Sequence, residues 1–319
     1  MVDLPIQISE LVLQIIRIAR PIHWVKNLAL FGALLLTGTL YETGLFKDVL
    51  LAFFSFSFAT SATYIFNDIL DSKSDRLHPV KKNRPIASGK LPFSIAVFEL
   101  LGFIFMSLVL AIPLNQIFTI LILIYIGLQI LYSLGLKNIP VIDILIIATG
   151  FILRVYGGAV VINAHLSVWF LLCVVSASLF LAAGKRRAEI NLLEAVDGGT
   201  RKSLTKYSKE LLNSYVTMFG NATWMSWSLY TFFESPKASL NFWLVLAEVS
   251  RATTINKLMM LTIPVVIFGI MRYEALIFEG KSEAPEKLLL TDKALLTAVI
   301  LWISIVYWII YSGVSVSGI

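Results

Sequence analysis

Asp68, Asp71 and Asp75 lie three and four residues apart in the stretch Asn67-Asp68-Ile69-Leu70-Asp71-Ser72-Lys73-Ser74-Asp75-Arg76. On a helix that spacing projects all three carboxylates from one face, a turn apart. They follow a long apolar run, so their mutual repulsion acts beside lipid. A structural cap would need one such group, not three. A divalent cation relieves the repulsion, and Mg2+ in particular takes few carboxylates together with the phosphate oxygens of a substrate. A solvated acidic loop is the plainer alternative. Charge is rare at the end of a membrane span, and a metal–diphosphate site is therefore the expectation.

The residues that follow, His78-Pro79-Val80-Lys81-Lys82-Asn83-Arg84-Pro85, are mostly basic. Lys81, Lys82 and Arg84, with Arg76 just before them, suit a ligand that needs both a metal and charged hydrogen-bond donors. Topology alone would put basic residues in this loop, but it accounts neither for the acids beside them nor for the two prolines. His78 on its own reads as a loop hydrogen-bonding residue. Two cations stand apart: Lys137 in a short turn between apolar runs, and Arg154 inside one. An intramembrane arginine is costly and generally lines a cavity or pairs with an acid. Asp143 precedes Arg154 by eleven residues, about 16 Å of helix rise, too far for a pair. Arg154 is thus expected to reach a phosphate deeper in a cavity. Asn67 can orient an aspartate or touch a sugar hydroxyl. Tyr132, Tyr156 and Tyr207 can do likewise or be interfacial aromatics.

The elements that must position these groups are membrane helices. Of 319 residues, 58% are apolar and 14% charged, with a mean hydropathy of +0.83. Soluble domains carry about 45–50% and about 25%. At about 20 residues per span the chain has material for about nine, which excludes a soluble enzyme, a disordered chain and a disulfide scaffold. The single cysteine, Cys173, lies in an apolar run. Apolar windows place spans near 24–42, 48–67, 93–112, 116–134, 141–162, 165–183, 213–233, 255–273 and 295–316, with 238–250 too short to cross. Residues 1–22 read as an amphipathic helix along the membrane surface, with Gln7, Glu10, Gln14 and Arg17 on the polar side and Ile8, Val12, Ile15 and Ala19 opposite.

The basic residues test that division. Twenty-one of the 26 Lys and Arg fall before or at the start of the first span, in 68–92, at Lys137, in 184–212 or in 272–294. These segments alternate with the opposite-side loops. The positive-inside rule then puts the N-terminus and the long polar loops in the cytoplasm and the C-terminus outside the inner membrane. Topology and anionic ligands explain the net charge of +6, and nucleic acid is not an expected partner. The expected fold is an all-α polytopic membrane protein, a single integral-membrane domain over 1–319. About nine transmembrane helices would enclose a central cavity open to the cytoplasm, with 68–92 and 184–212 as active-site loops. Self-association into a homo-oligomer is left open. No Walker-type loop, zinc spacing or G-x-S-x-G elbow supports an ATPase, zinc-hydrolase or serine-hydrolase reading.

Asn67, Asp68, Asp71 and Asp75 complete the pattern N-D-x-x-D-x-x-x-D, and here the chain resembles the UbiA-type intramembrane prenyltransferase superfamily. The fuller stretch NDILDSKSDRLHPVKKNRPIASG is most similar to the branch that transfers phosphoribose to a polyprenyl phosphate. So are Arg20-Pro21 with Trp24, Lys26 and Asn27, the segment 132–159, Gly184-Lys185-Arg186-Arg187-Ala188-Glu189, and Arg272-Tyr273 with Pro285-Glu286 and Asp292. Aromatic prenyltransferases of the superfamily carry a second aspartate-rich motif after the sixth helix. Here that region has Lys185, Arg186, Arg187 and Glu189, and one aspartate, Asp197. The departure implies a basic wall for a further phosphate in place of a second cation site. The resemblance implies Mg2+ held by Asp68 and Asp71, with Asp75 direct or through water. It further implies phosphoribosyl pyrophosphate and a decaprenyl-type polyprenyl phosphate as substrates, in the synthesis of cell-envelope glycolipid precursors. Lys26, Asn67, Arg76, Lys81, Lys82, Arg84, Lys137, Arg154, Lys185, Arg186 and Glu189 are the expected substrate contacts. An aromatic prenyltransferase of quinone or haem synthesis and a lipid or solute transporter are the alternatives. The first predicts a second metal motif that is not found. The second predicts midplane charges, whereas the ionisable residues here gather at the span ends.

Overall fold

In the computed structural model, residues 8–77, 81–194, 207–234, 255–279 and 285–312 are described. His78, Asp197 with its Gly-Gly turn, the stretch 238–250 and the tail 317–319 lie outside them. All regular structure among the described residues is helical. Helix α1 (Ile8–Ala19) leads into a 3-10 segment, Pro21–Leu30, and the short α2 (Phe31–Leu36). Then come α3 (Thr43–Asp75), α4 (Phe93–Ala111), α5 (Gln116–Leu134), α6 (Ile142–Val161), α7 (Val168–Glu194) and α8 (Lys209–Phe233). A second long 3-10 segment, Ile255–Thr262, feeds α9 (Ile263–Phe278), followed by α10 (Pro285–Thr291) and α11 (Lys293–Tyr311).

Among the described residues, seven helices are long and apolar enough to cross a membrane: α3, α4, α5, α6, α7, the rod 257–278 and α11. Only helices whose backbone bonds close internally can do so in lipid. Helix α4 shows the environment directly, because Phe93, Phe98, Leu101 and Phe105 all stand exposed along it. Helix α8 has 25 residues, but Asn213, Ser214, Thr217, Asn221 and Thr223 keep it out of that apolar set.

Three expectations need adjusting. The window 24–42 is not one α-helix. It opens inside a 3-10 helix, Pro21–Leu30, whose three-residue period puts Trp24 and Asn27 on the side of α3. There Trp24 Nε1 donates to Ser61 Oγ at 3.0 Å and Asn27 Nδ2 to Ser57 Oγ at 2.9 Å. The second adjustment concerns the presumed loops. Helix α3 runs on through Asp75 and α7 through Glu194, so the acids and Lys185–Glu189 are on helices. In α1, third, Gln14 is buried while Val12, Leu13 and Ile16 are exposed. The helix thus turns apolar residues outward, as a surface lying in lipid would.

Packing gathers around several clusters. Leu30, Leu34, Phe56, Phe118 and Ile122 join the first 3-10 segment, α2, α3 and α5. Phe180, Val216, Tyr273, Leu276 and Ile277 join α7, α8 and α9. Between the 3-10 segment, α6 and the helices α7–α11 lies a cavity of about 370 Å3, lined by Phe151, Phe180, Ile270 and Trp302 among others, with Lys26 as its one charged lining residue.

Close packing makes one glycine indispensable. A Cβ on Gly158 of α6 would sit 2.0 Å from the Leu30 carbonyl oxygen, a backbone atom, whereas one on Gly127 would meet nothing within 4 Å. Gly158→Ala should therefore lower the thermal midpoint in detergent, with a cost of at least about 1–3 kcal/mol, while Gly127→Ala should leave it unchanged or raise it. Equal midpoints for the two variants would refute this account of the α6 contact.

Candidate active site

Asp68 is 2% exposed and Asp75 is buried with it. Carboxylates enter an interior only with partners, and each of Asp68, Asp71 and Asp75 has a cation. Arg20 Nη2 donates to both oxygens of Asp68 at 2.6 Å. Arg84 Nη1 donates to Asp68 at 3.0 Å and to Asp75 at 2.7 Å. Lys137 Nζ donates to the two oxygens of Asp71 at 2.6 and 2.7 Å, and lies 3.4 Å from Asn67 Oδ1. The three cations come from three separate segments. Arg20 sits in the junction between α1 and the 3-10 segment, in the left-handed region at φ 52, with its guanidinium over the Tyr64 ring. Arg84 follows the short 3-10 turn Lys81–Asn83, and Lys137 is on the turn Leu136–Asn138 between α5 and α6.

The donor set fits a hard divalent cation. One nitrogen of Arg84 already bridges two carboxylates that stand two helical turns apart, so their oxygens converge on a single positive centre. Among the described residues no three acidic, His or Cys side chains gather at one point, because Asp71 turns to Lys137. Two carboxylates, with substrate phosphate oxygens and water taking the other positions, would suit Mg2+.

The other expected site residues divide. Lys81 is half-buried, Arg76 and Lys82 are exposed, and Lys26 faces the cavity. Lys185 is half-buried. Arg186 is 0% exposed, and each of its three nitrogens meets a protein group. Nε lies 2.6 Å from Asp143 Oδ2, Nη1 donates to Glu189, and Nη2 donates to Tyr132 Oη at 2.6 Å. Arg187 turns the other way, donating to Asn213 Oδ1 at 2.5 Å and covering the Phe278 ring. Lys185–Arg187 therefore do not form one basic wall in this structure. Arg154, 5% exposed, is drawn into the core between α3, α5 and α6. It donates to Asn27 Oδ1 at 2.6 Å, to the Gly150 carbonyl, and at 3.3 Å to Thr60 Oγ1 and Tyr125 Oη, and it lies over the Phe56 and Tyr125 rings. It has no link to Asp143, as the helix rise required.

Sequence reasoning did not single out Arg20 or Asp143 as site residues. The signals for Arg20 were its place directly before Pro21 at the entry to an apolar window and the likeness of that stretch to the phosphoribose-transferring branch. Tyr207 donates to Asp143 Oδ1 at 2.8 Å and accepts from the Val141 N–H. Burial, reinforced by the Asp143 carboxylate, pushes its phenol above the usual range, so it stays a donor. Tyr156 is exposed.

Residues 28–247 match the UbiA prenyltransferase family. The chain belongs to that family. Within it, the decaprenyl-phosphate phosphoribosyltransferase of Mycolicibacterium smegmatis is 35% identical over 95% of this chain and 94% of its own. The protein of the same name from Corynebacterium glutamicum is 34% identical over 93% of this chain and 86% of its own. Among solved structures, a UbiA homologue from Archaeoglobus fulgidus bound to DMAPP and Mg2+ superposes with a TM-score of 0.67. It covers 93% of this chain and 99% of that one at 16% identity, a likeness of fold. This chain is accordingly a multi-pass membrane transferase of the UbiA fold.

Removing Arg154 orphans several buried acceptors at once, and each such loss costs about 1–3 kcal/mol. Arg154→Met should lower the thermal midpoint in detergent by an amount equivalent to on the order of 3 kcal/mol, against little change for the exposed Lys82→Ala. A wild-type midpoint for Arg154→Met would show that these bonds do not hold the core.

Proposed function

We propose that this protein transfers the 5-phosphoribosyl group of phosphoribosyl pyrophosphate to a decaprenyl-type polyprenyl phosphate and releases pyrophosphate. The observation that carries this reading is the 34–35% identity, over nearly the whole chain, to two proteins named decaprenyl-phosphate phosphoribosyltransferase. The geometry supports it, since the acids that suit a metal–diphosphate stand beside cations from three segments.

In this reading Asp68 and Asp75, joined by Asp71 once its pair with Lys137 loosens, would hold Mg2+, which when bound would supply charge neutralisation at the pyrophosphate. Arg84 and Lys137 release their carboxylates in part and donate to diphosphate oxygens, where charge builds as the bond breaks. Arg76, Lys81, Lys82 and Lys185 ring the remaining phosphate, and Asn67 orients the acids or the ribose. The bond between C1 and the diphosphate oxygen breaks with its electron pair leaving on pyrophosphate, and C1 takes on oxocarbenium character. An oxygen of the lipid phosphate forms the new bond to C1. That phosphate is anionic at neutral pH, so no general base is required. The acceptor's head lies toward Lys26, with the first isoprene units of its tail in the apolar cavity behind it.

We further read the chain as one integral-membrane domain of nine crossings, with the segment 21–36 and α8 added to the seven apolar helices. Its N-terminus and acid-bearing helix ends face the cytoplasm of the inner membrane, its C-terminus lies outside, and its product feeds cell-envelope glycolipid synthesis. The basic balance of the segments on that side supports the orientation.

The test incubates purified protein in detergent with labelled phosphoribosyl pyrophosphate, a polyprenyl phosphate and Mg2+. Label should move into the organic phase, and this transfer should vanish on chelation and fall by at least about 100-fold in Asp68→Ala. Transfer from a prenyl diphosphate to an aromatic acid, with none from phosphoribosyl pyrophosphate, would replace this reading with an aromatic prenyltransferase.

A further inference from the structure

Arg186 stands where a contact to substrate phosphate was expected, yet it is sealed in protein. Its two outer partners explain why. Tyr132 is in the last turn of α5, five residues before Lys137, and Asp143 is in the first turn of α6, six residues after it. The guanidinium touches both, at 2.6 Å each, and so closes the α5–α6 turn across its base. Glu189, one helical turn along α7, takes the third arm. Asp143 in turn accepts from the Ile144 N–H at 2.9 Å and from Tyr207 at 2.8 Å, while Tyr207 receives the N–H of Val141. Val141 holds φ 69, an uncommon conformation for a β-branched residue. Such a conformation persists only where its surroundings enforce it. Both ends of the turn are thereby pinned, and between them lies Lys137, whose amine rests on Asp71.

We infer that Arg186 is a positioning residue for the diphosphate site: it touches no phosphate and acts through the α5–α6 turn, fixing Lys137 against Asp71. The inference rests on the proposal that Lys137 and Asp71 belong to that site. It reassigns the Arg186–Glu189 pair from substrate contact to the support behind Lys137. A misplacement of about 1 Å in a binding group is enough to cost a large factor in rate or affinity, so the support matters even though it lies out of reach of the ligand.

The test is a double-mutant cycle on the full chain in detergent, read first as the Kd for inorganic pyrophosphate with Mg2+ and then as KM for each substrate. Arg186→Lys keeps the charge but loses the fork. Tyr132→Phe removes a single arm, leaves the Asp143 pair in place, and keeps the question answerable if Arg186→Lys does not fold. Tyr132→Phe should weaken pyrophosphate binding about tenfold and leave KM for polyprenyl phosphate as it was. In a Lys137→Met background the same substitution should change nothing further. Equal losses in both backgrounds, or wild-type affinity in Tyr132→Phe, would overturn the inference, and wild-type protein that binds no pyrophosphate would overturn it together with the site. Coupling in the pyrophosphate cycle without any phosphoribosyl transfer would sink the substrate assignment alone.

Discussion

Three negative charges on one face of α3, at the end of an apolar helix, set the terms for everything around them. Each carboxylate would be expensive to bury alone, and each is met by a cation from outside its own helix. Arg20 comes from 48 residues upstream of Asp68, Lys137 from 66 residues beyond Asp71, and Arg84 from nine residues beyond Asp75, past the end of the helix. The acids therefore draw the α1 junction, the loop after α3 and the α5–α6 turn onto one helix end. An anionic ligand with a divalent cation can replace these internal pairs with similar ones, so that the groups keeping the protein neutral at this point are the groups a diphosphate would use.

Away from that end the structure handles buried guanidinium groups in two ways. Arg154 is surrounded by neutral acceptors and aromatic faces from α3, α5 and the 3-10 segment. Arg186 is matched by two carboxylates and a phenol. The first arrangement ties the core together near Gly150, and the second ties the membrane-edge turns. Both depend on long-range partners, and neither could be relocated along its helix by one residue without losing all of them.

How much of this could be read beforehand follows from range. The acid face of α3 was legible because its period is local, and the long apolar helices were legible because lipid demands them. Lys137 stood out as a charge in a short turn. The pairing of Asp143 with Arg186 was not legible, since 43 residues and a whole helix hairpin separate them. Arg20 was masked by the general excess of basic residues on one side. The tract at 184–189 read as a loop because its charges end the apolar window, yet Ala, Arg and Glu are good helix formers, and α7 continues through them. The 3-10 winding of Pro21–Leu30 left no mark in composition at all; hydrogen bonds to Ser57 and Ser61 select it.

That winding changes the reach of the segment 21–36. Sixteen residues wound throughout as an α-helix extend about 24 Å, short of a hydrocarbon layer of about 30 Å. A 3-10 helix rises about 2.0 Å per residue, so the ten residues Pro21–Leu30 and the six of α2 together extend about 29 Å. A tighter coil trades girth for length. The strut gained this way is about 5 Å longer for the same number of residues, and it is slim enough for the Leu30 carbonyl to rest in the notch that Gly158 leaves.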